Sequence, residues 1–124
     1  MAVIYAMNVL LERFFGVYER WQWFDVPMHF VGGFAAGLLG VSLHFAGTSA
    51  KQRRELPSWY QLLFVLGITM FVAVTWEWHE FVRDWIHHGQ AGWTWLQPST
   101  ADTMKDLLMG LLGGLVAASL LKKE

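Results

Sequence analysis

Three long apolar runs alternate with short polar stretches along this chain. Val26–Gly47 holds no Lys, Arg, Asp or Glu, Trp59–Trp76 continues apolar to about Val82, and Leu107–Leu121 is uncharged. The hydrocarbon core of a bilayer takes about 20 helical residues, fewer where flanking side chains snorkel or the bilayer thins, so each run predicts a transmembrane helix. Met1–Val17 is also apolar but is interrupted by Glu12 and Arg13. It reads as a further helix that spans the membrane, lies in the interface or serves as a signal-anchor, and it lacks the basic start and small-residue cleavage site of a secretory signal peptide. The expected fold is all-α: one membrane-embedded, polytopic helical bundle over residues 1–124, with three transmembrane spans and an N-terminal apolar helix, about four helices in all.

Composition agrees. A chain of 124 residues that is 55% hydrophobic, 16% aromatic and only 15% charged, with mean hydropathy +0.34, is too apolar for an ordinary soluble domain. The absence of cysteine excludes disulfides and thiolate metal sites, so any metal must be held by oxygen and imidazole. There is no basic nucleic-acid patch, no phosphate-binding glycine loop followed by Lys-Ser/Thr and no Gly-x-Ser-x-Gly nucleophile turn.

Charge is unevenly shared between the two ends of the predicted bundle. The loop Thr48–Ser58 and the C-terminus carry five bases (Lys51, Arg53, Arg54, Lys122, Lys123) against Glu55 and Glu124. By the bias of basic residues toward the cytoplasmic side, this end and both termini are expected to be cytoplasmic. The opposite end collects eight acids against Arg13, Arg20, Arg83 and Lys105. Trp21, Trp23, Trp76, Trp78, Trp85, Trp93 and Trp95 flank that end, and Trp59 with Tyr60 the other, as aromatic belts at the two interfaces do.

Three pairs of ionisable residues stand out at the acidic end: Asp25/His29, Glu77/Glu80 and Asp102/Asp106. Spacings of three and four put each pair on one helix face. Chain direction brings them to one membrane level, because the helix from Asp25 and the helix from Asp102 start where the helix ending near Glu80 stops. The lines Asp25, His29, Gly33, Gly37 and Asp102, Asp106, Gly110, Gly114 continue each polar pair into a glycine stripe. Small residues at this spacing let membrane helices approach closely, so the acids are expected to face into the bundle. Thr69, Ala73, Glu77, Glu80 and Asp84 make the matching stripe, Asn8 and Glu12 offer a fourth, and the linker Arg83–Thr103 reads as a loop able to fold over the site.

Each residue also has a purely structural reading. Asp25 and Asp102 stand where helix N-caps stand. Arg83, Lys105 or Arg20 would neutralise Glu77 and Glu80 by ion pairing. His44, His79, His87 and His88 read as packing or solvated residues, and the glycine stripes as packing.

The motifs Asp25-x-x-x-His29-x-x-Gly32-Gly33, Trp76-Glu77-x-x-Glu80 and Asp102-Thr103-x-x-Asp106-x-x-x-Gly110 together resemble the signature of the small bacterial inner-membrane proteins of the YjdF type, which are distantly similar to VanZ-like proteins. The resemblance runs from about Phe24 to the end of the last helix. It implies a polytopic helical protein of the inner membrane with acids gathered near one face, and it assigns no activity.

From the residues themselves, Asp25, His29, Glu77, Glu80, Asp102 and Asp106 are candidate ligands for a divalent metal such as Mn²⁺, Fe²⁺ or Zn²⁺. Helix bundles build such sites from acids and histidines three or four apart on facing helices. An open metal position would activate water for attack on a lipid or envelope headgroup bond, with Glu80 or His29 moving the proton. The competing expectation is a non-catalytic accessory subunit of a larger membrane complex, packing against partner helices, lipids or pigments. Acids left over after ion pairing favour the first, and fully paired acids the second.

Overall fold

The structure is a computed structural model that describes residues 22–91 and 95–121, together with Leu10 and Phe14. Apart from those two residues, the expected helix Met1–Val17, with Asn8 and Glu12, lies outside the described residues, as do Trp21, Trp93 and residues 122–124. Among the described residues every regular element is helical. A 3-10 turn, Gln22–Phe24, leads into α1 (Asp25–Gly47), followed by α2 (Ala50–Glu55), α3 (Ser58–His87) and α4 (Thr100–Ala118).

The helix ends explain where sequence boundaries shift. Ser49 N-caps α2 in a capping box with Gln52: the Gln52 amide donates to Ser49 Oγ at 3.3 Å and the Ser49 amide to Gln52 Oε1 at 2.9 Å. Two orphan donors are thereby satisfied, and a helical turn forms inside what reads as a plain loop. Buried Gln61 ties this turn to α3, donating from Nε2 to the carbonyls of Arg53 (2.9 Å) and Leu56 (3.1 Å). At the other end of α3 the helix continues to His87, and Ser99 Oγ accepts from the Asp102 amide at 3.1 Å to start α4 at Thr100. The expected loop Arg83–Thr103 is therefore shorter, running from residue 88 to residue 99. Asp102 sits in the first turn of α4 rather than at its N-cap.

α1 packs most extensively on α4, next on α3, and α3 closes the triangle on α4. The α1–α4 seam is made of glycine. A Cβ at Gly33 would run into the backbone of Gly110, and one at Gly113 would overlap the Phe30 carbonyl and lie 2.6 Å from the Phe34 nitrogen. Only residues without side chains permit that approach. Gly37 fits against Gly114 and Ala117 in the same way, and Gly114 against Thr69 of α3. The stripe expected on α3 is buried at Thr69, Glu77, Glu80 and Asp84, and it extends back through Val65 to Gln61.

The interior is thus lined by small and polar residues, while large apolar side chains point outward: Phe71 is 72% exposed and Leu63 59%. A soluble protein would bury these groups, whereas lipid receives them at no cost. Two helices, α1 with mean hydropathy 1.5 and α3 with 1.6, are long and apolar enough to cross a membrane. α4 carries Asp102, Lys105 and Asp106 in its first two turns, which leaves it a shorter apolar stretch. Trp23, Trp78, Trp85 and Trp95 lie outward at the acidic end and Trp59 with Tyr60 at the other.

Candidate functional site

The site lies where the start of α1, the end of α3 and the start of α4 meet. His29 is at its centre. Its Nε2 is 3.2 Å from Asp25 Oδ1 and 3.9 Å from Asp106 Oδ2, and its Nδ1 is 3.6 Å from Glu77 Oε1. Two groups of ligand atoms result, Asp25/His29/Asp106 and His29/Glu77/Glu80, each within 4.8 Å and sharing the imidazole. Five of the six candidate ligands are therefore brought together. The sixth, Asp102, stands at the rim with Oδ1 2.5 Å from Lys105 Nζ.

Burial makes these contacts consequential. Glu77 is 5% exposed, Glu80 9% and Asp106 2%, and a buried carboxylate is costly unless it is paired or hydrogen-bonded. Each glutamate has one oxygen tied: Gln97 Nε2 donates to Glu77 Oε2 at 2.7 Å, and Trp76 Nε1 donates to Glu80 Oε1 at 2.8 Å. Glu77 Oε1 and Asp106 Oδ1 are buried without a hydrogen-bond partner. Lys105 approaches the aspartates and not the glutamates, with Nζ 3.5 Å from Asp106 Oδ1 and 3.9 Å from Asp25 Oδ2. Asp25 is inside the first turn of α1, and no side chain caps that helix. The N-cap reading of Asp25 gives way to a residue that faces the imidazole.

The connection between α3 and α4 reaches back over this cluster. Asp84, 4% exposed, accepts from the amides of Leu96 (3.0 Å to Oδ1, 3.1 Å to Oδ2) and Gln97 (2.9 Å to Oδ2). That clamp sets Gln97 in place, and its side chain also donates to the Glu77 carbonyl at 3.0 Å. Asp84 is legible as part of the α3 stripe, but its role as an anchor and the Gln97 contact are not. The demand of a buried carboxylate for donors, beside a loop with an amide before Pro98, is the signal that points to them. His87 pairs with Gln90 (2.9 Å) and the His88 ring lies tilted beside Trp95 (5.5 Å between ring centroids), both outside the cluster. His44 lies at the far end of α1.

With this geometry in hand, comparison with known proteins is informative at one level. A family model described as "Predicted membrane protein (DUF2238)" matches residues 1–123. The chain belongs to this family. No curated protein and no solved structure matches it. Membership in DUF2238 makes the chain a membrane protein, in keeping with the outward Leu, Phe and Trp side chains of α1 and α3. It follows that the His29 cluster is built into the packed face of membrane helices, where an ionisable residue is expensive and points by default to function.

Proposed function

We propose that this DUF2238 protein binds one divalent transition metal, Mn²⁺, Fe²⁺ or Zn²⁺, through His29 Nδ1, Glu77 and Glu80, with Asp25 and Asp106 behind the imidazole. The observation that carries the reading is Glu77 Oε1, buried and without a hydrogen-bond partner, facing a ring nitrogen 3.6 Å away. A neutral imidazole has one N–H. If Nε2 donates it to Asp25 at 3.2 Å, Nδ1 and Glu77 Oε1 present lone pairs to each other, and a cation between them removes the conflict. Donation of the second ring N–H to a carboxylate is the usual way a metal-binding histidine is oriented. Ligand atoms about 2.1 Å from one ion lie roughly 3–4.2 Å apart, in keeping with a group whose atoms fall within 4.8 Å. Gln97 on Glu77 and Trp76 on Glu80 hold the carboxylates as outer-shell donors hold ligands. Asp102, engaged by Lys105, is assigned to the rim.

Three spans and the N-terminal helix rest on the apolar runs, and the acidic end outward with both termini cytoplasmic rests on the distribution of basic residues. The bacterial inner membrane follows from the resemblance to YjdF-type proteins. In this setting a metal held by His29, Glu77 and Glu80 would supply Lewis acidity toward a headgroup bond at the outer leaflet.

Elemental analysis of protein purified in detergent without chelator tests the reading. One metal per chain is expected in the wild type and less than a tenth of that in Glu77→Gln, a change that preserves size. Absence of metal from folded wild-type protein overturns the site and favours the accessory-subunit role, in which Lys105 and interhelical hydrogen bonds satisfy the acids.

A further inference from the structure

We propose that the opposite end of α1 carries a second ligand site, for a neutral, membrane-soluble ring compound bearing oxygen, of the quinone or phenol type. A cavity of about 390 Å³ lies between the last turn of α1, α2 and the start of α3, lined by His44, Thr48, Gln52, Glu55, Tyr60 and Phe64 among others. This volume falls in the range of small-molecule sites, about 300–1,000 Å³. The cavity is a product of local construction: the Ser49–Gln52 capping box and the Gln61 bonds to the carbonyls of Arg53 and Leu56 hold α2 across the ends of α1 and α3.

His44 supplies the recognition element. It is 3% exposed, it lines the cavity, and its Nε2 is buried without a hydrogen-bond partner. A buried polar atom of this kind costs free energy until a partner arrives. The surroundings select that partner's chemistry. Phe64 lies 5.7 Å from the His44 ring, centroid to centroid, and Tyr60 adds a second aromatic wall, which suits a planar ring. Among the described residues no Lys or Arg lines the cavity, although α2 is rich in both. Arg53 is turned away, stacked over Phe45 at 4.5 Å and donating to the Thr48 carbonyl, and Lys51 lies 3.8 Å from Glu55. With Glu55 as the charged lining residue, an anionic phosphate headgroup is disfavoured and a neutral one accepted. Leu43, Leu56 and the exposed Tyr60 and Trp59 at this end place the cavity beside the bilayer from which such a ligand arrives.

The test titrates decylubiquinone calorimetrically into the purified full chain in lipid nanodiscs, with dodecylphosphocholine as the acyl-chain comparison. A Cβ at Gly47, which lines the cavity, would meet nothing within 4 Å, so Gly47→Leu adds bulk at the cavity wall without straining the fold. We expect saturable binding of decylubiquinone, weakened about tenfold by His44→Leu through loss of one hydrogen bond and abolished by Gly47→Leu. Equal binding by Gly47→Leu and wild type, no saturable binding, or equal affinity for dodecylphosphocholine overturns the proposal. Gly47→Leu keeps the test decisive if His44→Leu does not fold, and none of these outcomes depends on metal at the other end.

Discussion

Replacing Asp84 by Asn isolates the clamp that holds the α3–α4 connection over the His29 cluster. The carboxylate accepts from two backbone amides through three contacts of 2.9–3.1 Å and is 4% exposed, so solvent screens it little. Hydrogen bonds to a buried charged group contribute about 1.5–3 kcal/mol each. Asn retains one neutral acceptor and turns an NH₂ toward amides that also donate, so the connection loses about 2–4 kcal/mol of local stability. At 1.36 kcal/mol per factor of ten, the protection of the Leu96 and Gln97 amides against hydrogen exchange falls roughly 30- to 1,000-fold. Protection in the middle of α4, at Leu108 for example, is expected to stay unchanged, because the opening is local. Exchange measured residue by residue in detergent or nanodiscs reads both. Unchanged protection at Leu96 and Gln97, or a uniform loss along α4, refutes the clamp.

Three further outcomes follow from the same geometry. Gly33→Ala forces α1 and α4 apart and lowers the melting temperature, whereas Gly32→Ala, whose Cβ would meet nothing within 4 Å, leaves it unchanged or raises it, since Ala is preferred to Gly in helices by about 0.5–1 kcal/mol; thermal unfolding of the pair checks the seam. Asp25→Asn weakens metal binding about 10- to 100-fold by removing the carboxylate charge behind His29, and wild-type affinity falls as pH is lowered because protons compete for the ligands; titration with Co²⁺ monitored by its visible spectrum measures both. The chain has no cysteine, so single cysteines at Lys51 and Gln90, both exposed, report topology cleanly: an impermeant thiol reagent applied to intact cells labels Gln90→Cys and not Lys51→Cys, and the reverse refutes the orientation.

The chain made the meeting of the acidic pairs legible because helical period and chain direction are both readable from residue order. Asp25, His29, Gly33 and Gly37 lie on one face whatever the neighbours are, and alternating helix direction places Asp25, Glu80 and Asp102 at one level. The partners of each group were not legible, since they depend on side-chain reach across helices. Lys105 is one of the bases the sequence offers to neutralise Glu77 and Glu80, but in space it serves the aspartates, at 2.5 Å from Asp102 and 3.5 Å from Asp106. Gln97 of the connection reaches Glu77 because Asp84 binds the backbone beside it, a relation with no sequence period. The extent of α3 to His87 and the presence of α2 were hidden for a simpler reason: both are decided by caps and hydrogen bonds rather than by hydrophobic runs.

The charge inventory of the site bears on what it holds. Asp25, Asp102 and Asp106 lie within 4 Å of Lys105, whereas Glu77 and Glu80 share the imidazole between them. Lys105 is one cation for three aspartates, and its side chain is 37% exposed, so its field is partly screened. Both glutamates are buried, and Lys105 approaches the aspartates instead. Gln97 and Trp76 donate hydrogen bonds to them, which steadies the oxygens but brings no positive charge. Buried acids in that position take up protons or bind a cation. A proton between Nδ1 and Glu77 Oε1 satisfies that pair alone and leaves Glu80 uncompensated, while a divalent ion engages both glutamates and the ring nitrogen together. The same comparison makes Glu80→Gln discriminating: a metal site loses affinity because a ligand charge is removed, whereas a protonated carboxyl is closely mimicked by the amide and its replacement leaves the fold and its stability nearly unchanged.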